Sequence, residues 1–270
     1  MSRFTRIAVL GADGRMGRAL TRAVAAAGTD AKLTAACERA GHASLGKDAG
    51  VLAGGEALGV PVIGTLPPKG AADVWIDFTS AQITETVCQA ATAAEAALVV
   101  GTTGLGPAAR AAIEAAAGRV PVVYATNFSV GVNVLRVLVA EAARALGPAY
   151  DVEIVETHHR AKRDAPSGTA LTLAESVAAA TGRQLDTAAR YARQGDVGPR
   201  TAGEIGLQAV RGGDVIGDHT VFFLGTGDRL EITHRATTRD TFAVGAVRAA
   251  LWLAGRAPGM YDMRAVLGLA

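Results

Sequence analysis

The first half of the chain is built of short, almost unbroken apolar runs separated by longer alanine-rich stretches. Arg6–Leu10, Lys32–Cys37, Val74–Phe78, Leu98–Val100 and Pro121–Ala125 read as strands, and Arg15–Ala26, between the first two, reads as a helix. A strand with one face in water alternates apolar and polar residues. These runs do not alternate, so helices must cover both of their faces. The pattern predicts an α/β domain with a Rossmann-like, doubly wound parallel sheet.

From about Gly131 the pattern changes. A helical stretch runs to Leu146, followed by a strand over Asp151–Thr157, a helix over Gly168–Ala180 and a polar loop from Gly182 to Gly203. Three further strands, Gly206–Arg211, Val215–Leu224 and Arg229–Arg235, are joined by the turn-rich segments Gly212-Gly213-Asp214 and Gly225-Thr226-Gly227-Asp228. They predict an antiparallel meander. Thr241–Ala254 then reads as an apolar helix returning to the first domain, with Ala257–Ala270 as a closing tail. The expected division is a dinucleotide-binding domain of residues 1–128, completed by 240–270, and a second α+β domain of residues 129–239 on a mixed or antiparallel sheet.

Composition narrows the classes. Of 270 residues half are hydrophobic and 19% charged, enough for a core without disulfide or metal support. The 27 basic and 25 acidic residues are dispersed, so neither nucleic acid nor a membrane surface is an expected partner, whereas a small anion is compatible. Apolar runs such as Ala96–Val100 fall far short of the roughly 20 residues that cross a bilayer. Arg3 and Arg6 are followed by Asp13 and a glycine-rich turn rather than by the apolar core of a signal peptide. Only two cysteines, Cys37 and Cys88, are present, and a cytoplasmic protein is expected.

Gly11-Ala12-Asp13-Gly14-Arg15-Met16-Gly17 follows the first strand and opens the first helix. In that context Gly11 permits the tight turn, Gly14 lets the backbone approach a pyrophosphate, and Gly17 lets the helix pack on the strand, with the helix N-terminus facing the phosphates. The bland alternative is an ordinary glycine-containing turn. Glu38 follows the second strand, where a carboxylate binds the ribose hydroxyls, and Arg39 beside it can hold a 2′-phosphate. The pair predicts that both NADH and NADPH are usable. Gly101, Thr102 and Thr103, and Ala125, Thr126, Asn127 and Phe128, end later strands at the same sheet edge and complete the cofactor-binding set.

The densest chemistry lies in His158-His159-Arg160-Ala161-Lys162-Arg163-Asp164-Ala165-Pro166-Ser167-Gly168-Thr169. Pro166 and Ser167 read as a helix start whose first N–H groups, at Gly168 and Thr169, suit a carboxylate. Lys162 and the histidines add positive charge and a proton donor, and Glu153 and Glu156 precede them on the strand. The alternative is a solvated basic loop before a capped helix. Adjacent histidines lack the spacing to share an ion, so no metal is expected. His42, His219 and His234 are isolated in sequence and read as structural.

These residues resemble the 4-hydroxy-tetrahydrodipicolinate (dihydrodipicolinate) reductases. The likeness runs through Gly11 to Gly17, Glu38-Arg39, Ile76-Asp77-Phe78-Thr79, Val100 to Gly104, Asn127 to Asn133, the His158 to Thr169 run, Glu231 to His234 and Gly245 to Arg248. It implies hydride transfer from NADH or NADPH to a cyclic unsaturated dicarboxylate. It further implies His158 as proton donor or acceptor, Lys162 as second catalytic group, His159, Gly168 and Thr169 as substrate-binding residues, and a homotetramer formed through the second domain. Asp13 stands where some relatives have a further glycine, so its carboxylate must turn away from the pyrophosphate. Ser80 stands where some carry a basic residue, which argues against strong NADPH preference. Two other readings stay open: another two-domain dehydrogenase of small acids, which would not need both His158 and Lys162, and a dinucleotide sensor without hydride transfer.

Overall fold

The computed structural model describes residues 4–269, so Arg3 and the Ala270 end of the expected closing tail lie outside the described residues. Along the chain run β1 (Thr5–Leu10), α1 (Arg15–Ala26), β2 (Ala31–Cys37), α2 (Ala49–Leu52), β3 (Val62–Ile63), β4 (Val74–Asp77), α3 (Thr84–Ala93), β5 (Ala97–Val100), α4 (Pro107–Ala117) and β6 (Pro121–Tyr124). Next come α5 (Val130–Leu146), β7 (Asp151–His158), α6 (Gly168–Ala180), α7 (Leu185–Ala188), β8 (Ala189–Arg190), β9 (Ile205–Arg211), β10 (Gly217–Leu224) and β11 (Arg229–Ala236). The chain closes with α8 (Asp240–Leu253), β12 (Gly259–Tyr261) and α9 (Met263–Leu267). Residues 1–130 with 239–270 form one compact unit and residues 131–238 another.

The first unit holds a seven-stranded parallel sheet in the order β12-β6-β5-β4-β1-β2-β3. The sequence pattern explains its layers. Ile7 and Val9 point to the face covered by α1 and α8, where they meet Leu20, Val24 and Leu253. Ala8 and Leu10 point to the other face, where they meet Val87 of α3 and Ile113 of α4. Apolar residues are therefore demanded at every position from Ile7 to Leu10, the buried part of β1, and alternation is lost there. Winding reverses between β1 and β4, which leaves a crevice at the carboxyl edge.

The second unit carries a five-stranded mixed sheet in the order β11-β10-β7-β9-β8. Its strand β7 alternates strictly, because α5 and α6 pack on one face only: Val152 and Ile154 share that core with Leu135, Val139, Leu173 and Phe223. The expected meander of Gly206–Arg211 with Val215–Leu224 is not formed. β9 pairs with β7 in parallel, and β10 pairs with β7 and β11 antiparallel, so β7 separates the two strands that were expected to be neighbours. The glycine-rich link after β9 is thus a crossover around the end of β7. There the Gly212 N–H donates to the His158 carbonyl, and the His159 N–H donates to the Val215 carbonyl. Within the stretch expected as a loop, Gly182 to Gly203, lie the single-turn α7 and the short β8. Arg193 and Arg200 tie this stretch to Glu153.

Candidate active site

After β1 the chain turns at Gly11, whose φ is +68°, and Gly14 caps α1. Among the described residues no side chain caps this helix start. Its N–H groups and partial positive charge stay available to an anion. Gly17 is required by close approach: a Cβ there would stand 2.0 Å from the Gly11 carbonyl oxygen.

A cleft of about 530 Å³ opens beside this turn, lined by Gly11, Gly14, Glu38, Arg39, Phe78, Thr79 and Ser80 among others. That volume lies in the range of small-molecule sites. Glu38 accepts from the Asp13 N–H at 3.1 Å and from the Arg39 N–H at 3.2 Å, which fixes its carboxylate at the rim. The Asp13 carboxylate is held by Arg18, at 2.6 Å. Ala12 is buried, Met16 is half-buried against the core, and Arg15 is exposed at the helix start.

The other predicted cofactor residues follow β5 and β6 at the carboxyl edge of the same sheet. Gly101 faces Phe78 so closely that a Cβ would lie 2.2 Å from its ring. Thr102 is buried and donates to Asp77 at 3.4 Å, whereas Thr103 is exposed. Ala125 and Thr126 extend the edge, Asn127 accepts from the Ser129 N–H at 2.8 Å, and the Phe128 ring lies 5.2 Å from that of Phe78. Gly11, Gly14, Glu38 and Arg39 thus share one cleft, and the Gly101 and Ala125 segments stand outside its lining. Gly64, Thr65 and Ile83 also line the cleft. No motif marks them in the sequence.

In the second unit β7 delivers His158, which is buried. Its Nδ1 lies 2.5 Å from Glu156 Oε2, and Glu156 accepts from the Ser167 N–H at 3.0 Å and from both terminal nitrogens of Arg211 at 2.8 Å. Burial pushes the Glu156 carboxyl up, but the bonds from Arg211, His158 and Ser167 outweigh it and hold the group below its ordinary value. His158 is pushed down by burial, with Lys162 and Arg211 adding to the effect against Glu156. Lys162 pairs with Asp164 at 2.8 Å. His159 is half-buried on the segment pinned by the crossover. Ser167 caps α6 by accepting from the Ala170 N–H, and Gly168 and Thr169 form the helix's first turn as expected.

Two residues of this cluster, Arg211 and His219, were not legible in the sequence, and of the two glutamates before His158 the structure selects one. Glu153 and Glu156 are an odd number of residues apart, so they take opposite faces, and only Glu156 joins His158. Arg211 arrives through the parallel pairing of β9 with β7, where it stands opposite His158. His219, isolated in sequence, packs edge-on against His158 with ring centroids 5.2 Å apart and bonds Ser167 at 3.1 Å. Burial drives its pKa down to about 3.

Comparison with known proteins bears on both units. The profile of the dihydrodipicolinate reductase N-terminus matches residues 5–128, and that of the C-terminus matches residues 131–267. The chain belongs to the dihydrodipicolinate reductase family. It is 55% identical over 266 residues to a 4-hydroxy-tetrahydrodipicolinate reductase of Anaeromyxobacter dehalogenans, covering 98% of each chain. It is 54% identical to one of Alkalilimnicola ehrlichii, covering 98% of this chain and 99% of the other. A dipicolinate-bound dihydrodipicolinate reductase from Paenisporosarcina sp. TG-14 superposes with a TM-score of 0.73 at 22% identity, covering 96% and 97% of the two chains. It shares the fold. In this member of the dihydrodipicolinate reductase family, no helix among the described residues is long and apolar enough to cross a membrane.

Proposed function

We propose that the protein reduces 4-hydroxy-tetrahydrodipicolinate to tetrahydrodipicolinate with NADH or NADPH, in diaminopimelate and lysine synthesis. The observation that carries this reading is the gathering of His158 and the start of α6 around the buried carboxylate of Glu156, with the charge of Lys162 acting on His158, in a chain 55% identical to a 4-hydroxy-tetrahydrodipicolinate reductase.

The glycine turn, the uncapped α1 and the Glu38-Arg39 rim fit a dinucleotide, with Gly11 to Met16, Glu38, Arg39, Gly101 to Thr103 and Ala125 to Phe128 holding it. When bound, the reduced nicotinamide supplies hydride. His159 and the first-turn groups of Gly168 and Thr169 bind a substrate carboxylate, reinforced by the helix terminus. Lys162 exchanges Asp164 for the substrate and sets its positive charge against the electron pair that hydride arrival leaves. His158 moves the proton that completes the reaction. One hydride and one proton are consumed and one water leaves. Val155, Val210 and Phe222 lie on the face of the second sheet that α5 and α6 leave uncovered, which supports homotetramer formation through that face. Two buried cysteines without a disulfide fit a cytoplasmic setting.

The test follows the absorbance of NADH and NADPH while the preceding synthase generates substrate from pyruvate and aspartate semialdehyde. Oxidation that depends on the synthase is expected. Protein that binds NADH yet oxidises none would overturn the reading, and sedimentation of a monomer would overturn the tetramer.

A further inference from the structure

The buried group that the mechanism leaves unused is the ion pair behind His158. Glu156 is 1% exposed, and its partners are the Arg211 fork and the Ser167 N–H, which donate to it, and the Nδ1 of His158. A carboxylate held by an arginine stays ionised and can only accept. The ring nitrogen facing it must therefore carry the proton. The other ring nitrogen, Nε2, lies beside Gly217, where a Cβ would come within 2.9 Å of it. Only glycine leaves that nitrogen uncovered. Arg211 also donates to the Asp164 carbonyl at 2.7 Å, so the same guanidinium secures the segment that carries Lys162.

We propose that Glu156 and Arg211 are positioning residues, which hold His158 as the Nδ1–H tautomer so that Nε2 is the atom exchanging the proton with substrate. The assignment rests on the function proposed above and deepens it. The pair also explains how a buried imidazole can pass through its cationic state during turnover: Glu156 accepts from Nδ1 in both protonation states, and the charge appears next to an ionised carboxylate. The groups facing His158 are Glu156 on its own strand, Arg211 from β9, Lys162 from the following loop and His219 from β10, with His234 of β11 paired behind His219.

Glu156→Gln gives a sharp test. Both carboxyl oxygens accept from Arg211, but the second partner of Oε1 is the Ser167 N–H, which can only donate, whereas the second partner of Oε2 is an imidazole that can change tautomer, so the amide nitrogen turns to the Oε2 position, gives up one Arg211 bond and donates to His158 Nδ1. That forces the proton onto Nε2. In the ¹⁵N-labelled full chain, long-range histidine spectra should show His158 as Nδ1–H in the wild type and Nε2–H in Glu156→Gln, with His158→Gln providing the assignment. The kcat of Glu156→Gln should fall about 100-fold with KM values within about threefold, and the acid limb of kcat against pH should move to lower pH, because the charge favouring His158⁺ is gone. Arg211→Lys, which keeps the charge but not the fork, should lower kcat without reversing the tautomer. A wild-type His158 protonated on Nε2 would overturn the assignment, and that reading needs no variant to fold. So would a Glu156→Gln protein with unchanged tautomer and acid limb. Wild-type protein that oxidises no cofactor would defeat the proposed function, while its tautomer would still decide the role of Glu156.

Discussion

At the scale of single residues, the proposed carboxylate site of the second unit rests on a pair of opposed charges. Lys162 is held by Asp164, a carboxylate 62% exposed, so the pair is open to exchange with a substrate anion. Lys162→Ala should reduce turnover at least 100-fold and leave NADH affinity within about twofold, as checked by steady-state kinetics and equilibrium titration. An equal loss of both would remove Lys162 from the chemistry. In the first unit, Arg39 follows Glu38 at the cleft rim, where it can meet a 2′-phosphate. Arg39→Ala should raise KM for NADPH about tenfold and leave that for NADH nearly unchanged. His158, Lys162 and the start of α6 were legible because one continuous stretch carries them. Arg211 and His219 were not, because strand pairing rather than sequence distance brings them to His158.

At the scale of elements, ends with local chemistry were read closely. The helix starts at Arg15 and Gly168 follow from a glycine that permits close approach and from a serine that caps, and both stand where expected. The link after β9 misled because a glycine-rich connection suits a hairpin equally well, and only the parallel partnership with β7 makes it a crossover. The strand-turn-helix unit of the first domain invites a direct test. In Gly17→Ala the new Cβ would meet fixed backbone, 2.0 Å from the Gly11 oxygen and 2.7 Å from the Ala12 Cα, so the turn must open. Overpacking of this kind costs about 1–3 kcal/mol, and the melting temperature should fall by several degrees with weakened NADH binding. Gly118→Ala is the control. That glycine has φ of −68° and its nearest contact is the Ala115 oxygen at 3.4 Å, so Gly118→Ala should melt within about 2 °C of the wild type.

At the scale of the whole molecule, the buried groups of the second sheet tie folding to pH. His158, His219 and His234 all lie below the ordinary imidazole value of 6.5, each chiefly through burial, and His219 falls to about 3. Glu156 lies below its ordinary 4.5 because its three partners outweigh burial. For all four groups the unfolded chain binds the proton at a higher pH than the native protein does. Stability is therefore fully present near neutrality, declines as pH falls through about 6.5 while the unfolded histidines charge, and declines further below about 4.5 as unfolded Glu156 is protonated. Each histidine that titrates only in the unfolded state contributes a slope of about 1.4 kcal/mol per pH unit. The urea midpoint should accordingly drop between pH 7 and pH 5. His219→Gln retains a partner for Ser167 but cannot titrate, so its stability at pH 7 should be compared first and its slope against pH second. The slope should become shallower by about one proton's worth. An unchanged slope would mean that His219 charges equally in both states and that its burial against His158 has no share in the acid sensitivity of the fold.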